Sequence, residues 1–118
     1  MKKKPIYKIE HDDTKEWRLN GKLHREDGPA IEYASGYKEW WLNNKLHREG
    51  LPAVEHADGY KAWYLNGKRH RKDGPAVERA NGDKEWWLFG IHYTEPDFYR
   101  KLYKLGKITK EELFIKLI

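Results

Sequence analysis

Three histidines, His24, His47 and His70, each precede an arginine and stand within three residues of a carboxylate: Glu26 and Asp27, Glu49, and Asp73. Imidazole beside carboxylate is the material of zinc sites and of general acid–base pairs. A row of arginines could instead grip phosphates or an acidic partner with forked donors. The spacing decides among these chemistries. The histidines are 23 residues apart, and so are Arg25, Arg48 and Arg71. If each period is one β-hairpin, equivalent side chains sit two strands apart, roughly 9–10 Å. Zinc holds nitrogen ligands at about 2.0–2.1 Å, so the three histidines cannot share an ion. No metal is expected. Each imidazole is expected to pack at a corner and hydrogen-bond a backbone or carboxylate group. The arginines are expected to pair with Glu26, Asp27, Glu49 or Asp73, or with Glu32, Glu55 and Glu78.

Other catalytic constellations fail on inventory. Ser35 is the sole serine and occupies a turn, and there is no cysteine, hence no thiol nucleophile and no thiolate ligand. Acid pairs such as Glu26-Asp27 lie in repeated loops, and catalysis seldom needs three copies of one site. There is no phosphate loop and no dinucleotide fingerprint. Neither an enzyme nor a cofactor is expected.

The period of 23 runs through most of the chain. Trp17, Trp40, Trp63 and Trp86 share it, as do Leu19, Leu42, Leu65 and Leu88, Pro29, Pro52 and Pro75, and Gly36, Gly59 and Gly82. Three full units follow a half unit (Ile6 to Lys15) and precede a degraded one (Phe89 to Tyr93). Each unit contains two turn signals. Asn20-Gly21, Asn43-Asn44 and Asn66-Gly67 suit type I′ hairpins, and Ser35-Gly36, Asp58-Gly59 and Asn81-Gly82 mark the second turn. Between them lie short strands such as Lys38–Leu42 and Ala53–His56. Asp-Gly-Pro-Ala corners join the hairpins, because proline fixes φ and removes a donor. One hairpin is marginal alone, so stacked units must share a continuous core.

A strand period of two sorts the faces. Trp17/Leu19, Trp40/Leu42, Trp63/Leu65 and Trp86/Leu88 are expected in the main core, with Ile31, Val54 and Val77 from the return strands. Trp41, Tyr64 and Trp87 then fall on the opposite face, either as a second packing layer or as a binding stripe. The tail changes character. Thr94 caps a helix with Pro96 in its first turn, Phe98, Leu102 and Leu105 make one stripe, and Gly106 ends it. Thr109 to Glu112 is a capping box that opens a second helix, with Leu113, Phe114, Leu117 and Ile118 on its apolar side. The fold class is mainly β: a meander or solenoid of about 23-residue hairpins with a C-terminal two-helix cap. One domain, 1–118, divides into repeats over 5–93 and a helical hairpin over 94–118.

These residues resemble the MORN family, whose units are hairpins of similar length. Tyr60-Lys61-Ala62-Trp63-Tyr64-Leu65-Asn66-Gly67-Lys68-Arg69-His70, with the later turn at Asn81-Gly82, carries the likeness. It covers residues 7 to 93 and is nearest in flavour to the divergent bacterial and viral MORN variant, including YwqK-like proteins described as antitoxins. The family's usual glycine after the histidine is Arg25, Arg48 or Arg71 here. The resemblance implies a scaffold with protein partners and sometimes lipid contacts, and it does not imply a reaction.

Charge narrows the partner. The net charge is +5, yet Lys2 to Lys4 and the tail from Thr94 onward supply all of it, and residues 5 to 93 balance. A neutral body with basic ends is a poor groove for nucleic acid. No apolar run approaches the roughly 18 residues of a membrane helix, and no signal-peptide core follows the N-terminal lysines. A soluble, cytoplasmic protein is expected. The function expected is non-catalytic binding of another protein, a toxin or host factor, as inhibitor, antitoxin or adaptor. Trp41, Tyr64 and Trp87 would form the occluding face, flanked by Arg48 and Arg71. The rival readings are a sponge for a nucleotide or other anionic small molecule, and a weak membrane-surface binder. The open N-terminal edge also makes a homodimer a fair expectation.

Overall fold

The computed structural model describes residues 3–118; Lys2, one of the three N-terminal lysines, lies outside the described residues. The half unit supplies β1 (Ile6–Ile9). Unit one contributes β2 (Lys15–Leu19), β3 (Lys22–Leu23) and β4 (Ile31–Glu32). Unit two contributes β5 (Lys38–Glu39), β6 (Trp41–Leu42), β7 (Lys45–Leu46) and β8 (Val54–Glu55). Unit three contributes β9 (Lys61–Ala62), β10 (Tyr64–Leu65), β11 (Lys68–Arg69) and β12 (Val77–Glu78). The degraded fourth unit contributes β13 (Lys84–Leu88) and β14 (Ile91–Tyr93), and helices α1 (Glu95–Lys104) and α2 (Lys110–Leu117) follow.

One antiparallel sheet runs the length of the protein in the order β1-β2-β4-β5-β8-β9-β12-β13-β14, with β3 also on β2. Strand neighbours are chain neighbours or the flanks of one hairpin, so the sheet grows one unit at a time. The protein measures 52 × 37 × 18 Å. Its radius of gyration, 16.8 Å, exceeds the roughly 13 Å of a compact 100-residue domain. Stability is therefore passed along a slab rather than pooled in a ball. No helix among the described residues is long and apolar enough to cross a membrane.

The turns form where the residues allow left-handed backbone. Asn20-Gly21, Asn43-Asn44 and Asn66-Gly67 all take positive φ at both positions, as a type I′ turn requires. The fourth unit makes the same turn with Phe89 (φ 49°) and Gly90, which no asparagine signalled. Gly36, Gly59 and Gly82 take φ of 90–104° in the second turn, and Asp13 takes 67° at the equivalent place in the half unit.

Each tryptophan at the unit junction bonds in two directions. The N–H groups of Trp17, Trp40 and Trp63 donate to the carbonyls of Ala30, Ala53 and Ala76 in the long sheet. Their carbonyls accept from the N–H groups of His24, His47 and His70 in the hairpin ribbon. In units two and three this change of partner interrupts the ladder. The ribbons β6–β7 and β10–β11 leave the long sheet. The single strand expected over Lys38–Leu42 is consequently two strands broken at Trp40.

Register sets which residues share the core. Across the sheet the register aligns Glu16, Ile31, Glu39, Val54, Ala62, Val77 and Glu85 on one face. Val54, Ala62 and Val77 are buried there, and Tyr64, Trp87, Tyr37, Tyr60 and Leu46 pack on them. Val54 and Val77 were expected beside the Trp40 and Trp63 set; they instead share a face with Tyr64 and Trp87. The reverse face carries Lys15, Glu32, Lys38, Glu55, Lys61, Glu78 and Lys84 in direct cross-strand register. Each lysine thus lies opposite a glutamate, and such opposite-charge pairs add about 0.2–1 kcal/mol apiece.

The helices begin as the caps dictate. Thr94 Oγ1 accepts from Asp97 N–H, and Thr109 and Glu112 form a reciprocal capping box. Helix α1 buries Phe98 and Leu102 against Leu88, with Trp86 alongside, and seals the last full strand. Leu105, expected in the same stripe, is exposed, and α2 buries no residue at all.

Asp13 offers a direct test of turn chemistry. A side chain in the left-handed region costs roughly 1–2 kcal/mol, less for aspartate, whose short polar side chain bonds locally, and glycine removes that cost. Asp13→Gly is expected to raise the melting temperature by a few degrees in calorimetry. A fall would show that Asp13 makes a compensating contact.

Candidate functional site: a row of tryptophan–arginine corners

Every corner uses its histidine to hold the next unit. Asn43 N–H donates to His24 Nδ1 at 3.1 Å, Asn66 N–H to His47 Nδ1 at 3.0 Å, and Phe89 N–H to His70 Nδ1 at 3.0 Å. Each donor belongs to the type I′ turn of the following unit, 19 residues on. An imidazole that accepts at Nδ1 is neutral and carries its proton on Nε2. His24 Nε2 lies 3.5 Å from Glu26, and His47 Nε2 3.8 Å from Glu49. This is the corner role the sequence suggests. Among the described residues no three His, Cys, Asp or Glu side chains form a group that could hold a metal ion.

The arginine next to each histidine closes over the tryptophan of its own unit. Arg25, Arg48 and Arg71 place Cζ 3.8, 3.8 and 3.9 Å from the ring centres of Trp17, Trp40 and Trp63. Stacking of this kind adds about 0.5–1 kcal/mol at exposed sites and about 2 or more when desolvated. Nη1 of each arginine donates to the carbonyl of Pro29, Pro52 or Pro75. The same atom lies 3.6, 3.2 and 3.4 Å from Glu32, Glu55 and Glu78. Those glutamates belong to the charged sheet face, so the arginine links corner to ladder. Gly28 makes room for the fold-back: a Cβ there would sit 2.8 Å from Arg25 Cζ.

The guanidinium groups of Arg48 and Arg71 therefore do not lie beside the rings of Trp41, Tyr64 and Trp87, although the Arg48 and Arg71 N–H groups donate to the Tyr64 and Trp87 carbonyls. Those three aromatics are half-buried on the other side. Trp41 and Trp87 donate their indole N–H to Glu39 and Glu85. Tyr64 Oη accepts from Arg69, whose guanidinium also lies 5.0 Å over Trp87. Trp87 stacks on His92 at 4.8 Å. Of the two roles open to these aromatics, the contacts supply packing.

A depression of about 570 Å³ opens between the N-terminal segment and β2, lined by Lys4, Ile6, Lys8, Glu16 and Arg18. On the tryptophan–arginine side three depressions follow one another. The first, about 440 Å³, is lined by Trp17, Leu19, His24 and Arg25. The second, about 210 Å³, has Trp40, Leu42, His47 and Arg48 at the equivalent places, and shares Arg25 with the first. The third, about 380 Å³, has Trp63, Leu65, His70 and Arg71, and shares Arg48 with the second. The fourth place is filled by the chain itself. Trp86 and Leu88 repeat the tryptophan and leucine, but Thr94 stands where the arginine would be, starts α1 and lays Phe98 and Leu102 on them.

Trp63 is buried, as expected of the main core, whereas Trp40 and Leu65 of the same expected set are half-buried. Lys72 and Lys107, which the 23-residue period does not mark, also line the third depression. A signal for this face was present. Each arginine follows its tryptophan by eight residues in units one to three and is absent from unit four, where the helix begins. Comparison with protein-family models, curated proteins and solved structures found no match.

Two predictions test the corner. Lysine keeps the charge at Arg48 but loses the planar fork that both stacks and donates. Arg48→Lys is expected to cost about 1 kcal/mol in urea unfolding; no change would mean that the stack is idle. The second concerns His70. Burial, and after it the charge of Lys72, lowers its pKa from the ordinary 6.5. The folded state therefore binds fewer protons than the unfolded chain in mildly acidic solution. Its contribution is complete above 6.5 and declines as pH falls through the lower folded value. His70→Gln should flatten the decline in unfolding free energy between pH 7 and pH 5, and an unchanged slope would refute the assignment.

Proposed function

We propose that this chain is a MORN-like solenoid that binds another protein without catalysis and occludes it, as an inhibitor, antitoxin or adaptor. One observation carries the reading: three equivalent depressions stand in line on one face, and a fourth is closed by the chain's own amphipathic helix. A surface that accepts Phe98 and Leu102 in unit four offers the same tryptophan and leucine floor in units one to three. Arg48 and Arg71 keep the contact role expected of them, beside Trp40 and Trp63 instead of Trp41, Tyr64 and Trp87. Trp40 is half-buried and Trp63 buried beneath its arginine; aromatic and arginine side chains in such pockets are favoured anchors of protein interfaces. The balanced charge of the repeat body argues for a protein over a nucleic acid.

The test is affinity capture from the native source or its host, with two variants alongside. Glu49→Arg/Lys72→Glu alters the rim of the second and third depressions at exposed positions, and Trp41→Ala alters the opposite face. One stoichiometric partner, lost from the rim variant at unchanged thermal melting, is the expected result. A partner lost only from Trp41→Ala would move the interface to the other face. No captured partner in any lane would overturn the reading.

A further inference from the structure

The two ends of the long sheet are finished differently. Helix α1 covers the last unit, whereas among the described residues no strand pairs with the outer edge of β1. That edge offers backbone groups. Glu10 N–H donates to Thr14, and the register carries this inward bonding to Lys8 opposite Glu16 and Ile6 opposite Arg18. Trp17, opposite Tyr7, directs its N–H to Ala30 and its carbonyl to His24 instead. By alternation Tyr7 and Ile9 turn their N–H and C=O groups outward, away from β2. The side chains of this edge also depart from the repeat. At steps of 23 from Ile9 stand Glu32, Glu55 and Glu78, each opposite a lysine on the charged face. Ile9 takes the same place opposite Lys15 and is 55% exposed, with Ile6 75% and Tyr7 46% exposed beside it. A terminal repeat needs a polar outer side, and an open edge is guarded by charge. Here the edge strand carries isoleucine where every later unit carries glutamate.

We propose that the chain forms a two-fold dimer in which the β1 strands of two copies pair antiparallel about Ile9 and carry the sheet from one copy into the other. The contact lies at the sheet edge and is independent of the tryptophan–arginine face. Charge and donors select its register. A two-fold axis at Ile6 or Tyr7 would set Pro5, which has no N–H to donate, against Tyr7 or Ile9. An axis at Lys8 would set two lysines face to face, and like charges directly opposite are destabilising. An axis at Ile9 sets isoleucine against isoleucine on the charged face. On the other face it sets Lys8 opposite Glu10 of the second copy. Lys8, which meets Glu10 of its own chain at 3.1 Å, then has an acid on either side, because Glu16 faces it across β2. The same register brings Lys3 and Lys4 of each copy alongside the Asp12-Asp13 turn of the other. Each copy uses its edge once, so the contact closes at two. A strand of four residues buries less than the roughly 1,600 Å² of a standard interface, so the dimer belongs to the weak, concentration-dependent class.

Sedimentation equilibrium of the full chain, from about 10 to about 500 μM, tests the state directly, because a micromolar dimer fills within that range. The mass is expected to rise from the 14.2 kDa of one chain towards twice that value. Ile9→Glu restores the repeat's glutamate opposite Lys15, so the melting temperature should hold or rise. It also sets two carboxylates face to face across the axis, so the dimer should weaken about tenfold or more. Lys3→Glu/Lys4→Glu should weaken it as well. The chain has no cysteine, so single cysteines report the register. Ile9→Cys should form a disulfide-linked dimer under mild oxidation, and Lys8→Cys should link more slowly. A single-chain mass across the whole range overturns the proposal. So does a dimer that is indifferent to Ile9→Glu, one lost instead on Phe114→Glu/Ile118→Glu in α2, or a Lys8→Cys chain that links faster than Ile9→Cys. Capture of another protein is reported separately by the Glu49→Arg/Lys72→Glu and Trp41→Ala lanes, which leave the β1 edge unchanged.

Discussion

Each hairpin ribbon is held to the next through one imidazole nitrogen. The Nδ1 atoms of His24, His47 and His70 accept the backbone N–H of the next type I′ turn. A single hydrogen bond adds only about 0.5–1.5 kcal/mol net. Its importance here is positional. The first N–H of the unit-two turn is left free by its own hairpin, and the histidine of unit one accepts it. Backbone bonds reinforce the joint: Arg25, Arg48 and Arg71 N–H donate to the carbonyls of Trp41, Tyr64 and Trp87 in the following unit. A ribbon two residues wide is too short to stand alone. Fixed at both ends to its neighbours, it becomes one element of a slab.

The chain has few aliphatic residues to bury, and the slab is only 18 Å thick. Polar and aromatic contacts therefore carry loads that a thicker core would give to leucine. On one side, guanidinium planes cover Trp17, Trp40 and Trp63. On the other, Tyr37 and Tyr60 sandwich His56, with ring centres 3.9 and 4.9 Å apart. Arg79 bridges to Glu85, whose carboxyl is held below its usual range chiefly by that hydrogen bond. Burial and the neighbouring Glu39 push the phenol of Tyr37 well above its ordinary range. These groups are arranged for packing as much as for contact with solvent.

Local chemistry was the legible part of the sequence. The turns at Asn20-Gly21 and Asn66-Gly67 and the caps at Thr94 and Thr109 lie where residue type places them, because each rests on a few neighbouring backbone groups. The histidine corner was legible too, since each imidazole was expected to hydrogen-bond a backbone group and each accepts one at Nδ1. The faces were legible only within a strand. Counting by two from Glu39 to Leu42 separates Trp40 and Leu42 from Glu39 and Trp41, and the structure keeps that separation. It does not report which side the return strands take: the register sets Val54 opposite Glu39 and Ala62, and Val77 opposite Ala62 and Glu85, so Val54 and Val77 were grouped with the wrong tryptophans. Phe89 escaped notice as a turn residue because nothing about phenylalanine favours positive φ. The turn is imposed there by Gly90, by the bond to His70 Nδ1 and by the ring stacked on His70 at 4.1 Å.

The fourth unit shows how the array ends and why its other units stay open. A repeat can stop only when its last apolar surface is covered by something that does not itself repeat. Replacing arginine with Thr94 achieves this in one step, because threonine cannot lie over Trp86 but can cap a helix that does. Units one to three keep the arginine, which covers one side of each tryptophan and leaves the leucine beside it within reach of solvent. An arginine lid is thinner than a helix and remains hydrated at its edge. The same substitution that seals the end therefore defines, by contrast, the three places where a partner's side chains could rest.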